Sequence, residues 1–208
     1  MTAFITNDAD VAEGAAWLAL AEPRFASALD ATGPLPLRLA PGGFAALFNK
    51  IVSQQVSVAS ARAIWGRVEL AGLITPQAVA AASEEDLKSV GLSRPKMKYA
   101  RALAAAEIDY DALRHAPDSQ VIETLTSVSG IGVWTAQVYA MFNLGRADVF
   151  APGDLAQQEA ARMLFDLPAR PTAKTLEEMS LAWSPWRAVA ARLLFTYYRV
   201  AKDREGIT

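Results

Sequence analysis

The chain has 208 residues, 52 % hydrophobic and 20 % charged, a composition that belongs to a folded core and argues against disorder. No run approaches the roughly 18 uninterrupted apolar residues of a membrane span. The absence of cysteine excludes disulfides, thiolate-bound zinc and cysteine-held iron–sulfur clusters. A net charge of −2 runs against a general nucleic-acid binder, so a polyanion would have to be met by a local patch.

The N-terminal stretch carries Asp8, Asp10 and Glu13 and no basic segment. No secretory signal is therefore expected, and a cytoplasmic location, nucleoid-associated in a bacterium, is the default. Leu35-Pro-Leu-Arg-Leu is short and proline-broken, so it reads as an extended lead-in, separated by Pro41-Gly42-Gly43 from the apolar segment beginning at Phe44. From Phe44 to Val68 the apolar residues Phe44, Leu47, Phe48, Ile51, Val52, Val58, Ile64 and Val68 fall mostly at three- and four-residue steps. That spacing predicts one long helix, with Gln54 and Gln55 at a helix boundary. Thr75-Pro76 opens the next helix. Ser83-Glu-Glu-Asp-Leu starts a short one that Gly91 ends.

Lys88, Arg94, Lys96, Lys98 and Arg101, with Arg114 a little further on, suggest a local basic face, or equally an ordinary solvated helix surface. Val121 to Thr126 is a short helix, Gly130-Ile-Gly132 a turn, and Val133 to Leu144 a strong helix closed by Gly145. Pro152-Gly153-Asp154 starts a helix to about Leu164, Thr175 starts one running to Trp183, and Pro185 begins the last, to about Ala201. Sustained two-residue alternation is absent, so the expected class is all-α with roughly ten helices. Two segments echo each other, Leu87-Lys-Ser-Val-Gly-Leu-Ser and Leu125-Thr-Ser-Val-Ser-Gly-Ile-Gly, each a short helix, a glycine turn and a longer helix.

The second turn carries chemistry. Glycines at 130 and 132 allow a tight reversal that presents amide N–H groups at the start of a helix, where the dipole favours an anion. A DNA phosphate is such an anion, and gripping it conveys no sequence information. The alternative is an ordinary turn between packed helices. Asp154 lies 22 positions after Gly132 and could serve as a reactive carboxylate, as an N-cap, or as both. Asp148 is its rival. The only histidine, His115, reads as a surface residue without a catalytic partner.

The ordered set Ile51-Val-Ser-Gln-Gln-Val-Ser-Val-Ala-Ser-Ala, Gly91-Leu-Ser-Arg-Pro-Lys-Met-Lys-Tyr, Gly130-Ile-Gly-Val-Trp-Thr-Ala, Asp148-Val-Phe-Ala-Pro-Gly-Asp and Trp183-Ser-Pro-Trp-Arg resembles the helix-hairpin-helix (HhH-GPD) DNA glycosylase superfamily. It is most similar to the AlkA-like, 3-methyladenine DNA glycosylase II branch, from about Phe44 to Tyr198. The resemblance implies a two-lobed helical fold with the active-site cleft between the lobes. Residues 44–145 would form one lobe and 1–43 with 146–208 the other, without the extra N-terminal β domain of some members.

The implied activity is monofunctional: hydrolysis of the N-glycosidic bond of alkylated purines, of the 3-methyladenine and 7-methylguanine type, flipped out of double-stranded DNA during base excision repair. By this resemblance the catalytic aspartate falls on Asp154. Trp134 takes the place of the lysine of lyase-competent relatives and, with Phe195, would line the base pocket, although either ring could simply pack in a core. A tyrosine of some relatives is Val138 here. Gln55 would fill the gap left by the everted nucleotide, and Gln54, Gly130, Gly132 and Thr135 would contact DNA. The Trp183–Arg187 segment would be scaffold. No cofactor is required, and the main-chain carbonyls of Thr126, Val128 and Gly130 would hold a structural Na+ or K+. A monomer is expected. Two other readings stay open: a helix-hairpin-helix DNA-binding protein without catalysis, and a glycosylase acting on uracil, mismatched or oxidised bases.

Overall fold

A computed structural model describes residues 4–205, with side chains through Lys202. The described residues form thirteen α-helices and one 3-10 turn, with an isolated antiparallel bridge between Phe4 and Arg146 in place of any sheet. The chain divides into two compact units, Met1–Ala40 with Ala140–Thr208, and Pro41–Tyr139. The sequence reading placed these boundaries at 43/44 and 145/146. Residues 140–145 fall with the first unit because Phe142 O accepts the Ala40 amide at 2.9 Å and Gly145 O accepts that of Ile5 at 2.6 Å. Residues 1–3 and 206–208, included in the expected lobe, lie outside the described residues.

The first unit opens with α1 (Asp8–Ala21) and α2 (Pro23–Thr32), which the periodicity does not announce. Alanine on every side of α1 hides its inward stripe of Val11, Gly14 and Leu18. Its start is nevertheless well specified: Asn7 and Asp10 form a reciprocal capping box. The unit is completed by α11 (Leu155–Leu164), α12 (Ala173–Ser180), the 3-10 turn Leu181–Trp183 and α13 (Arg187–Glu205). Thr172, rather than Thr175, caps α12; its hydroxyl accepts the Thr175 amide at 3.1 Å. Helix α13 packs against α1, α2 and α11. Trp183 is buried against Phe25, Phe150 and Phe165, with ring centres 5.2–6.0 Å away, which makes the Trp-Ser-Pro-Trp segment scaffold.

In the second unit the expected long helix is two: α3 (Phe44–Ser53) and α4 (Val58–Leu70). Gln54 is extended, Gln55 takes φ +56°, and the Ser57 hydroxyl restarts the helix by accepting the Ser60 amide at 3.2 Å. Both apolar stripes keep helical spacing, so the break leaves no mark in periodicity. Next come α5 (Pro76–Ala81), α6 (Glu84–Ser89), α7 (Arg94–Ala105), α8 (Tyr110–His115), α9 (Asp118–Thr126) and α10 (Val133–Phe142), the last running across the division. Helix α7 is central, burying Met97, Ala100 and Leu103 while packing on α3, α5 and α6.

Candidate active site and nucleic-acid interface

The turn between α9 and α10 is built from the inside. Leu125, Val128, Ile131 and Ala136 are buried, and successive amide bonds, Val128 N to Leu125 O at 3.2 Å and Ile131 N to Val128 O at 3.0 Å, close it. Gly130 adopts φ +96°, and a Cβ there would stand 2.3 Å from Cγ of Tyr99, so the position admits glycine alone. The Gln54 side-chain amide donates to Gly130 O at 3.0 Å, bracing the turn from the end of α3. Gly132 and Val133 are exposed at the first turn of α10, where helix amides have no intrahelical acceptor. Nothing lies within 4 Å of a Cβ placed on Gly132.

With Gly130 half-buried inside the turn, the four other expected contact residues separate. Gly132 is open and Gln55 projects from an exposed left-handed turn. Gln54 is half-buried and occupied with Gly130. Thr135, expected to touch DNA, has a buried side chain at 4 % exposure, because it lies on the inward face of α10 with Ala136 and Tyr139.

The expected basic face is thinned in the same way. Lys96 is buried and its ammonium donates to Val52 O at 2.7 Å, at the last turn of α3; desolvation lowers its pKa. Arg101 donates to Ala82 O at 2.8 Å. Lys88, Arg94, Lys98 and Arg114 stay exposed. Whether a lysine three residues into a helix faces inward depends on its neighbours in space, and no local signal in the sequence marks it.

In the first unit, Asp154 is the N-cap of α11. One carboxylate oxygen accepts the amides of Ala156 at 2.9 Å and Gln157 at 3.1 Å. The preceding turn is fixed by the Asp154 amide on Ala151 O at 3.1 Å and by the Gln158 amide side chain on Pro152 O at 2.8 Å. The half-buried carboxylate is thus aimed by its own helix, with exposed Gly153 and Leu155 on either side. Asp148 is differently placed. Arg187 reaches both its oxygens, at 2.8 and 3.0 Å, and the Ser184 hydroxyl adds a third bond at 2.8 Å. A carboxylate clamped by a bidentate guanidinium is a structural anion. Arg187 and Ser184, grouped as scaffold in the sequence, are what separates the two aspartates.

Trp134 is 45 % exposed, which removes core packing as its purpose. Phe195 is half-buried beside Phe142, ring centres 6.3 Å apart, and the Arg38 guanidinium lies 5.3 Å from its ring centre. Val138 is half-buried and His115 exposed.

The HhH-GPD superfamily base excision DNA repair protein model matches residues 48–186. Over 163 residues the chain is 31 % identical to DNA-3-methyladenine glycosylase 2 of Escherichia coli, covering 71 % of this chain and 54 % of that protein, so it spans about half the length of that relative. The crystal structure of a DNA-3-methyladenine glycosidase from Bacillus halodurans superposes with a TM-score of 0.79 at 32 % identity, covering 90 % of this chain and 89 % of that one. Schizosaccharomyces pombe 3-methyladenine DNA glycosylase in complex with abasic DNA gives 0.78 at 24 % identity, covering 88 % and 95 %, a likeness of fold. With a family model spanning most of its length and that helical fold, the chain belongs to the HhH-GPD superfamily of base excision DNA repair proteins.

Proposed function

We propose that the protein is a monofunctional DNA glycosylase that removes alkylated purines, of the 3-methyladenine and 7-methylguanine type, from double-stranded DNA. The observation that carries this reading is the contrast between the two aspartates: Asp148 is neutralised by Arg187, whereas Asp154 is held at a helix N-terminus by backbone amides. The relatives named as 3-methyladenine glycosylases support the substrate class.

The amides at the start of α10 would hold a strand phosphate. The exposed Trp134 indole would stack on the everted base, and its quadrupole favours a cationic methylated purine. As the N-glycosidic bond breaks, the bonding pair leaves with the base and positive charge develops on the sugar. Asp154 would stabilise that charge, and water then adds at the anomeric carbon and gives up a proton to the Asp154 carboxylate, which passes it to solvent. With tryptophan at 134 there is no amine to form an imine there, so strand cleavage is not part of the reading.

The carbonyls of Thr126, Val128 and Gly130 are neutral oxygen donors, a set suited to Na+ or K+. Those of Val128 and Gly130 accept one hydrogen bond each, from Ile131 N and the Gln54 amide, and keep a second lone pair. A cation held there would add positive charge facing the phosphate. A monomer acting in the cytoplasm completes the proposal.

The test is Asp154→Asn assayed by single-turnover release of bases from methylated duplex. Release should fall at least 100-fold, about 2.7 kcal/mol in barrier, with affinity for abasic duplex retained. A rate within tenfold of wild type removes Asp154 from this role. Absence of release from any damaged duplex by the wild-type protein, with duplex binding intact, favours a DNA-binding protein without catalysis.

A further inference from the structure

The first unit gathers two arginines at a pair of rings. Arg192 is fully buried on α13: Nε donates to Leu37 O at 3.0 Å, Nη1 to Ala188 O at 2.8 Å, and Nη2 has neither a partner nor solvent. Its guanidinium carbon lies 4.9 Å from the centre of the Phe142 ring. That of Arg38 lies 5.9 Å from the same centre and 5.3 Å from that of Phe195. Arg38 is exposed and takes φ +54°, a left-handed conformation that a non-glycine residue holds only when its surroundings impose it.

The charges reinforce one another. Burial, and then the charge of Arg38, pushes Arg192 down to about 10. Burial, and then the charge of Arg199, lowers Arg38. Among the described residues no carboxylate pairs with Arg38, Arg192 or Arg199. In the same unit Arg187 faces Asp148 and Arg162 faces Glu159. Two guanidinium groups stacked on the same ring pair, one with a buried N–H donor left unsatisfied, repel each other and lack an anion.

We propose that Arg38 and Arg192, at the Phe142–Phe195 ring pair, form a binding site for a phosphate group. The rings hold Arg38 in place by cation–π contact, which leaves the edge of its guanidinium to bind oxygens. The group comes either from a DNA strand or from free phosphate.

The experiment melts the full-length protein in sodium phosphate and in sodium chloride at matched ionic strength, with Arg38→Gln in parallel. Phosphate also stabilises proteins in general, so the difference between the two proteins is what counts. A free-phosphate site gives the wild type a saturable rise of about 3–6 °C at ten times the dissociation constant. Arg38→Gln loses that increment while keeping its melting temperature in chloride. A second arm tracks binding of an undamaged duplex by anisotropy across salt concentrations. A strand phosphate as the ligand makes Arg38→Gln reduce the log–log salt slope by about one. Arg192→Met, of similar length and uncharged, gives up its bonds to Leu37 O and Ala188 O and so melts lower in chloride, and it should also lose whichever effect the wild type shows. If neither the phosphate increment nor the salt slope depends on Arg38, the proposal is overturned. Neither readout uses base release, so failure of the Asp154 reading leaves this test standing.

Discussion

The two glycine turns of the second unit share one backbone and differ in everything attached to it. Gly91 and Gly130 both sit at φ +96°, each three residues before the first residue of the next helix. At Gly91 a Cβ would meet Nη2 of Arg67 at 2.6 Å, the far tip of a flexible side chain that also donates to Val90 O. At Gly130 it would meet the Tyr99 ring at 2.3 Å, and Tyr99 belongs to the helix of the first hairpin. The first turn is succeeded by Arg94 and Pro95, and the proline removes an amide from the start of α7. The second is succeeded at the same places by Val133 and Trp134, which keep theirs. Both turns are braced by a side chain, Arg67 on Val90 O and Gln54 on Gly130 O, and they differ in the helix start that follows, so a sequence echo of this kind leaves the role to the residues after it.

The largest effect expected from this contrast is on stability. Gly130→Ala combines left-handed strain with a clash against an aromatic ring and should cost about 3 kcal/mol in urea unfolding. Gly91→Ala carries the same strain, but the Arg67 tip can move aside, so about 1–2 kcal/mol is expected. Equal costs would show that Tyr99 yields as easily as arginine, and the distinction between the two turns would be lost.

How much of the molecule is legible in the sequence depends on how local each feature is. Gly130, and Asp154 as a helix start, are legible because a turn or a cap is specified by residues that touch along the chain. The hairpin core of Leu125, Val128 and Ile131 is legible for the same reason. The break after Ser53, expected as a helix boundary at Gln54 and Gln55, is legible in place but not in form: it depends on Gln55 accepting φ +56°, and glutamine signals no such thing. Helix α1 is hidden by alanine on all its faces. The inward turn of Lys96, the burial of Thr135 and the neutralisation of Asp148 by Arg187 are tertiary events. The stacking of Arg38 on Phe195 joins residues 157 positions apart, and no window along the chain contains both.

A middle-sized effect concerns α3, the helix that braces the second turn. Lys50 lies one turn before Gln54, and burial lowers its pKa from 10.5 to about 8. Between pH 8 and about 10 the unfolded chain binds a proton that the folded chain has released. Stability should therefore rise with pH through that window, the reverse of a lysine engaged in an ion pair. Lys50→Met should flatten that rise and add about 1 kcal/mol at pH 7, measured by urea unfolding across pH. A slope unchanged by the substitution would assign the titration elsewhere.

The smallest effect on folding is expected at Gly132, and it separates architecture from binding most cleanly. Its φ is not in the left-handed region and a Cβ there meets no atom within 4 Å. Gly132→Ala should therefore change stability by less than about 0.5 kcal/mol. If the open amides of α10 grip a phosphate, the added methyl stands where the strand must approach, and duplex affinity should fall several-fold while the melting temperature stays put. The same substitution at Gly91 should do the opposite, with lower stability and little change in affinity, because that turn is secured within the unit by Arg67. Affinity unmoved by Gly132→Ala would take the phosphate grip away from the second turn and leave the two hairpins alike in role as well as in backbone.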